Sequence, residues 1–167
     1  VGPTIVTPWR EQIEGAKTLA RLHQLLDRLH RFRVLDPAGG SGNFLYLAYR
    51  ELKRLEARIY ERIDAEFPSR AEPGQVRLSF LSVQHFFGLD INPLAVEIAK
   101  VAMMVARKLA IDELHIAENP LPLDNLDQNF LATDALLTPA GQPARWPPAD
   151  VIIGNPPFIG AKLLKPQ

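Results

Sequence analysis

The sequence predicts an α/β protein, a four-stranded parallel sheet with helices packed on it. Three observations carry that expectation. Short apolar runs alternate with long amphipathic stretches along the 167 residues. Each run ends in an acid or an asparagine: Asp36, Asp90, Asp134 and Asn155. The first run leads straight into a glycine-rich turn and a long helical pattern, as a strand–turn–helix unit does.

The elements follow in chain order. Val1 to Thr7 is expected to be extended, with Pro3 and Pro8 as breakers and Thr7 capping the helix that follows. From Trp9, the positions Ile13, Ala16, Ala20, Leu22, Leu25, Leu26 and Leu29 recur at helical steps, predicting one helix that ends near His30. Residues 1–31 thus form an N-terminal helical segment leading into the core, and residues 32–167 form the sheet domain. Arg33 to Asp36 is the first strand, followed by the turn Pro37-Ala38-Gly39-Gly40-Ser41-Gly42. A second helix spans about Asn43 to Glu66, with Phe44, Leu47, Ala48, Leu52, Leu55, Ile59 and Ile63 inward and a face of alternating charge in solvent. Phe86 to Asp90 is the second strand, and Asn92-Pro93 opens a third helix from Leu94 to about Leu109. Its Met103 and Met104 read as core filler. Asn129 to Ala132, ending near Asp134, is the third strand, and Asp150 to Gly154 is the fourth.

Composition narrows the function classes. Nineteen basic residues balance nineteen acidic ones, which excludes a simple basic DNA-coating protein. With no cysteine there is no disulfide framework, zinc–cysteine site or thiol nucleophile. His23, His30, His85 and His115 are scattered without ligand-like spacing, so no metal site is expected. No apolar run reaches the roughly 18 residues of a membrane helix and no signal peptide opens the chain, so the expected location is the cytoplasm. The chain starts at Val1 and stops just after a Pro-Pro motif, as a piece of a longer protein would.

In open parallel sheets ligands bind beyond the carboxyl ends of the strands, where the four polar residues fall. The glycine turn lets a ligand approach the main chain, and the helix after it points its free N–H groups there. It is neither a phosphate-binding P-loop, lacking Gly-Lys-Ser/Thr, nor a dinucleotide fingerprint, since Leu45 holds the third glycine's place. Asp90 is placed to accept from ribose hydroxyls, although it lies further on than the usual interval of roughly 20 residues. In Asn155-Pro156-Pro157-Phe158, the double proline fixes a rigid turn. It presents the Asn155 amide oxygen and the Pro156 carbonyl as paired acceptors for an –NH₂ group, beside the stacking face of Phe158.

Together these segments resemble the S-adenosylmethionine-dependent DNA adenine methyltransferases, above all type IIG restriction–modification proteins and related phage-defence enzymes. Asp36-Pro37-Ala38-Gly39-Gly40-Ser41-Gly42-Asn43-Phe44 is similar to their cofactor motif, and Asn155-Pro156-Pro157-Phe158 to their catalytic motif. The resemblance implies a Rossmann-like class I methyltransferase fold, of which the chain carries the first four strands and lacks the C-terminal ones. It implies that Asp36, Pro37, Ala38, Gly40, Gly42, Asn43 and Phe44 hold the methionine part of S-adenosylmethionine, with help from Thr7. Asp90 then takes the ribose, Ile91 packs on the adenine, and Asp134 accepts from the cofactor's amine. Asn155, Pro156, Pro157 and Phe158 address an adenine flipped from double-stranded DNA. Gly39 departs from the family, which usually has Cys there, and is expected to loosen the turn. Asn-Pro-Pro-aromatic motifs also serve methyltransferases of ribosomal RNA guanine and of protein glutamine, so the motif alone leaves the substrate open. A remaining alternative is an inactive module that self-associates through its exposed strand edge.

Overall fold

In a computed structural model of the chain, the described residues are 1–68, 78–114, 117–118 and 126–156. Helices α1 (Thr7–Glu14) and α2 (Leu19–Leu29) precede strand β1 (Val34–Asp36) and helix α3 (Asn43–Glu66). Then come β2 (Leu78–Ser79), β3 (Phe86–Asp90), α4 (Pro93–Leu114), β4 (Ala117–Glu118), β5 (Phe130–Ala132) and β6 (Val151–Ile152). The main sheet is wholly parallel in the order β5-β3-β1-β6. The four strands foreseen from the sequence are these four. The two-residue strands β2 and β4 pair in a separate small sheet that no apolar run announced.

The chain runs outward from β1 through α3 to β3 and through α4 to β5, then returns to lay β6 on the other side of β1. The strand order therefore reverses at β1, the place where doubly wound sheets open a ligand crevice. Helix α3 lies against β1 and β3, α4 lies against β3 and β5, and the two helices pack on each other. One core joins Val34, Phe86 and Phe130 of the sheet to Leu45, Tyr49 and Leu52 of α3, to Met103 of α4 and to Trp9 and Leu25 of the N-terminal helices.

The N-terminus corrects two expectations. Gly2–Val6 is a single wide helical turn rather than an extended lead-in, with the N–H groups of Ile5 and Val6 both bonded to the Val1 carbonyl. Thr7 is accordingly the first residue of α1, and its side chain caps nothing. The single helix expected from Trp9 to His30 is two. Thr18 is extended and its hydroxyl accepts from the Arg21 N–H at 3.2 Å, restarting the helix. Arg62 of α3 donates to the carbonyls of Ile13 and Ala16, satisfying the end of α1. The apolar stripe runs on through buried Ala16, which hid the break.

Helix α3 has the expected bounds but not the expected faces. Phe44 and Leu47, assigned inward, are 39% and 44% exposed, while Lys53 and Glu56 of the charged face are fully buried. Lys53 Nζ donates to Ser79 Oγ at 2.5 Å, Ser79 Oγ donates to Glu56 Oε2 at 2.5 Å, and His30 Nε2 pairs with Glu56 Oε1 at 2.7 Å. This network ties α2, α3 and the small sheet together. Helix α4 runs five residues past its expected end, to Leu114. No described helix is long and apolar enough to cross a membrane.

Candidate cofactor and acceptor site

The carboxyl ends of the main-sheet strands bring most of the sequence-predicted site residues to one rim. The turn between β1 and α3 is held there by main-chain and carboxylate contacts. Gly39 N–H donates to the Leu89 carbonyl at 2.9 Å, which binds the turn to the neighbouring strand, and Gly42 N–H donates to the Gly39 carbonyl at 2.8 Å. Gly42 takes φ +81°, and a Cβ there would stand 3.0 Å from Ala99 of α4. Both its conformation and its packing exclude a side chain. A Cβ on Gly40 would face open space, so a ligand can approach the main chain at that point. Pro37 and Ala38 are half-buried within the turn, and Asn43 and Phe44 open α3 with exposed side chains.

Asp90 closes the turn from β3. Its Oδ2 accepts the Gly40 N–H at 2.9 Å and its Oδ1 accepts the Asn92 N–H at 2.9 Å. One carboxylate thus fixes both the glycine turn and the start of α4, where Asn92 Oδ1 takes the Leu94 N–H. Ile91 beside it is 77% exposed, so its side chain is open to contact at the rim.

Asp36 is fully buried at the end of β1. Its Oδ1 accepts the Ala38 N–H at 3.0 Å, whereas its Oδ2 has no hydrogen-bond partner among the described residues. Burial pushes its carboxyl above the usual range; the Ala38 N–H opposes that shift and the charge of Asp90 adds to it. A buried oxygen without a donor at the lip of a glycine turn is what a ligand carrying N–H groups would complete.

Asp134 lies just beyond β5, where its Oδ1 accepts the N–H groups of Leu136 and Leu137. It borders a cleft of about 370 Å³ lined also by Leu89, Leu131, Leu137 and Arg145. Asn155 and Pro156 are exposed at the end of β6, next to β1. The start of β6 is pinned by Asp150 Oδ2, which accepts the Arg33 N–H at 2.8 Å, and its end by the Ile153 N–H, which donates to the Leu35 carbonyl at 2.9 Å. Pro157 and Phe158 lie outside the described residues. Thr7 is exposed at the start of α1, and no hydrogen bond among the described residues ties it to the glycine turn. The sequence reading passed over Gly154, whose φ is +154° and whose main chain lies against the Asp36 carboxylate. The signal was there, a glycine between a β-branched run and the Asn-Pro-Pro motif.

Gly39 is not the loose point the sequence implied. Both its N–H and its carbonyl are bonded, and a Cβ there would meet its neighbours at 3.6 Å or more, ordinary contact. Gly39→Ala is therefore expected to stabilise the chain by about 0.4–1 kcal/mol, because alanine restricts the unfolded chain more than the folded one. Thermal unfolding checks this; a melting temperature lowered by the substitution would contradict it.

An open parallel sheet with a glycine turn and carboxylates at its strand ends defines a doubly wound α/β protein, a class in which ligands bind beyond the carboxyl ends of the strands. The chain belongs to the family described as the MmeI DNA-methyltransferase domain, which residues 11–167 match. It is 32% identical over 149 residues to DNA methyltransferase A of Bacillus subtilis, an alignment covering 85% of this chain and 16% of that protein. A putative type II restriction enzyme and methyltransferase of Methanocaldococcus jannaschii is 34% identical over 116 residues, 70% of this chain and 9% of its own length. The adenine-specific methyltransferase PglX of Streptomyces coelicolor is 30% identical over 159 residues, 78% of this chain and 12% of its own. Among solved structures, the type IIL restriction-modification enzyme MmeI in complex with DNA shares the fold. Its TM-score is 0.59 at 26% identity, over 74% of this chain and 17% of that one. The chain thus spans less than a fifth of the length of each.

Proposed function

We propose that this chain is the cofactor and acceptor half of an S-adenosylmethionine-dependent methyltransferase acting on the N6 amine of adenine in double-stranded DNA, in restriction–modification or phage defence. The observation that carries the reading is the meeting of the glycine turn, Asp36, Asp90 and the Asn155-Pro156 segment on one rim of a chain of this family. Residues 1–31 form a helical segment leading into the methyltransferase domain, and the working compartment is the bacterial cytoplasm.

Bound S-adenosylmethionine would supply a methyl group activated on a sulfonium. The residues present fit it. Asp36 Oδ2 lacks a donor among the described residues, and the methionine portion carries one. The open face at Gly40, with Pro37, Ala38, Gly42, Asn43 and Phe44, forms the cradle around that portion. Asp90 keeps lone pairs for ribose hydroxyls beyond those used by Gly40 and Asn92, and Ile91 offers the adenine an apolar cover. Asp134 accepts from the adenine's amine beside an apolar cleft. Thr7 assists only if the N-terminus approaches the turn. Asn155 and Pro156 accept from the target's amino group, aim its lone pair, and hold the positive charge that develops on it. Phe158 stacks on the flipped base.

Strand β6 stands at the edge of the sheet with Ile152 53% exposed. Such an edge calls for a neighbour. Further strands of a longer methyltransferase are the neighbour we propose, with self-association as the rival. In the completed enzyme, Asn155→Ala is expected to lower methylation by roughly 10²–10³-fold, the scale of losing one preorganised acceptor or donor, with cofactor affinity unchanged. Mass spectrometry of nucleosides from the nucleic acid and of peptides from the protein is the readout. N6-methyladenine from DNA supports the reading, whereas methylguanine from RNA or methylglutamine from protein would replace it.

A further inference from the structure

We propose that Asp36 and Gly154 together form a spacer that sets the distance between the glycine turn and the Asn155-Pro156 segment, with Gly154 a positioning residue for the acceptor site. This inference rests on the function proposed above. Asp36 Oδ1 holds the glycine turn through the Ala38 N–H. A Cβ on Gly154 would stand 2.5 Å from that same Oδ1 and 3.3 Å from its carboxyl carbon. The first distance is far inside van der Waals contact, so the main chain at 154 already rests on the carboxylate. The φ of +154° at this position adds a second, independent demand for glycine.

The carboxylate has no room to yield without cost. Asp36 is fully buried, and turning its carboxyl group breaks the Ala38 bond. Strand β6 cannot yield without moving Asn155, the next residue after Gly154. Upstream of that point the strand is anchored by the Ile153 N–H on the Leu35 carbonyl. One buried oxygen is therefore the common stop for the glycine turn and the Asn155-Pro156 segment. Because Ile153 holds the strand, a methyl group at 154 is met first by that oxygen and loosens the cofactor turn, and it does so without touching either ligand.

A double-substitution cycle tests the spacer with two readouts: calorimetric affinity for S-adenosylmethionine, and the Ala38 amide resonance in a nitrogen-15 spectrum of the ligand-free chain. Gly154→Ala is expected to weaken cofactor binding by about tenfold or more and to shift the Ala38 resonance. In an Asp36→Ala background the same substitution is expected to move the Ala38 resonance several-fold less, because the collision partner is gone and only the φ at 154 still resists a side chain. A folded Gly154→Ala chain with unchanged affinity and an unmoved Ala38 resonance would overturn the proposal. If Gly154→Ala alone does not fold, the spacer requires the double variant to be more folded than Gly154→Ala alone; a double variant no more folded overturns it. Should the wild-type chain bind no S-adenosylmethionine, the proposed function fails, and the Ala38 resonance still decides the spacer.

Discussion

Replacing Lys53 by methionine is expected to destabilise the fold by about 3–5 kcal/mol, the cost of leaving one member of a buried ionic network without its partner. Lys53 and Glu56 sit three residues apart on α3 with side chains 0% and 2% exposed, and their charged atoms are 4.0 Å apart. Ser79 bridges them, accepting from the amine and donating to the carboxylate. Methionine matches the lysine stem in shape but cannot donate. Ser79 then loses its donor, and the buried Glu56 carboxylate is left with Ser79 and His30 as its partners among the described residues. Removing Lys53, Glu56 and Ser79 together is expected to be far less damaging, because the remaining member, His30, is 14% exposed and can turn to water. The triple variant Lys53→Met, Glu56→Leu, Ser79→Ala should return to within about 2 kcal/mol of wild type, since apolar groups of similar shape commonly replace such networks at little cost. Denaturant unfolding of the single and triple variants makes the comparison. A single variant within about 1 kcal/mol of wild type would mean that water reaches the cluster.

The second large effect falls on the candidate site. Asp90→Ala removes two charge-assisted hydrogen bonds at once, those from Gly40 and Asn92. Each is worth about 1.5–3 kcal/mol when the acceptor is ionised and shielded, though partial exposure of Asp90 places the pair toward the low end. A net loss of about 2 kcal/mol is expected in denaturant unfolding. The loss is not spread evenly. It frees the glycine turn on one side and the first turn of α4 on the other, so the rim should lose order before the core does. Amide hydrogen exchange separates the two regions: faster exchange is expected at Gly40 and Asn92, with Leu52 and Met103 still protected. Uniformly faster exchange would mean that Asp90 supports the whole fold rather than the rim.

The parts of the fold that were legible from the sequence are those in which local pattern and tertiary outcome coincide. Val34 to Asp36 and Phe86 to Asp90 are apolar runs closed by an acid, and burial on both faces of a parallel sheet favours such runs. The rim was legible for the same reason, because each polar residue marks a strand end and strand ends share one side of the sheet. What was hidden depends on which part of the chain covers a surface. Lys53 and Glu56 have the spacing of an ordinary surface pair, the same as Glu51 and Arg54, which do form an exposed one. Only the arrival of Ser79 and His30 distinguishes them. The break between α1 and α2 was masked by Ala16, which continues the stripe across it, although Gly15 and Thr18 are a stop and a start in sequence terms. Strand β2 has two residues and no run at all, so its pairing with β4 is a purely tertiary fact. Phe44 and Leu47 fit the apolar period but lie where α3 emerges at the rim, and there Leu45 and Tyr49 take the core positions.

The measurement that bears most directly on the account is a calorimetric titration of the folded chain with S-adenosylmethionine, with Asp90→Ala alongside. The account predicts saturable binding at one site in the wild-type chain and its loss in a variant whose core remains folded. A wild-type chain with a cooperative melting transition and no heat of binding would contradict it, because the rim formed by Asp36, the glycine turn and Asp90 would then not be a cofactor site.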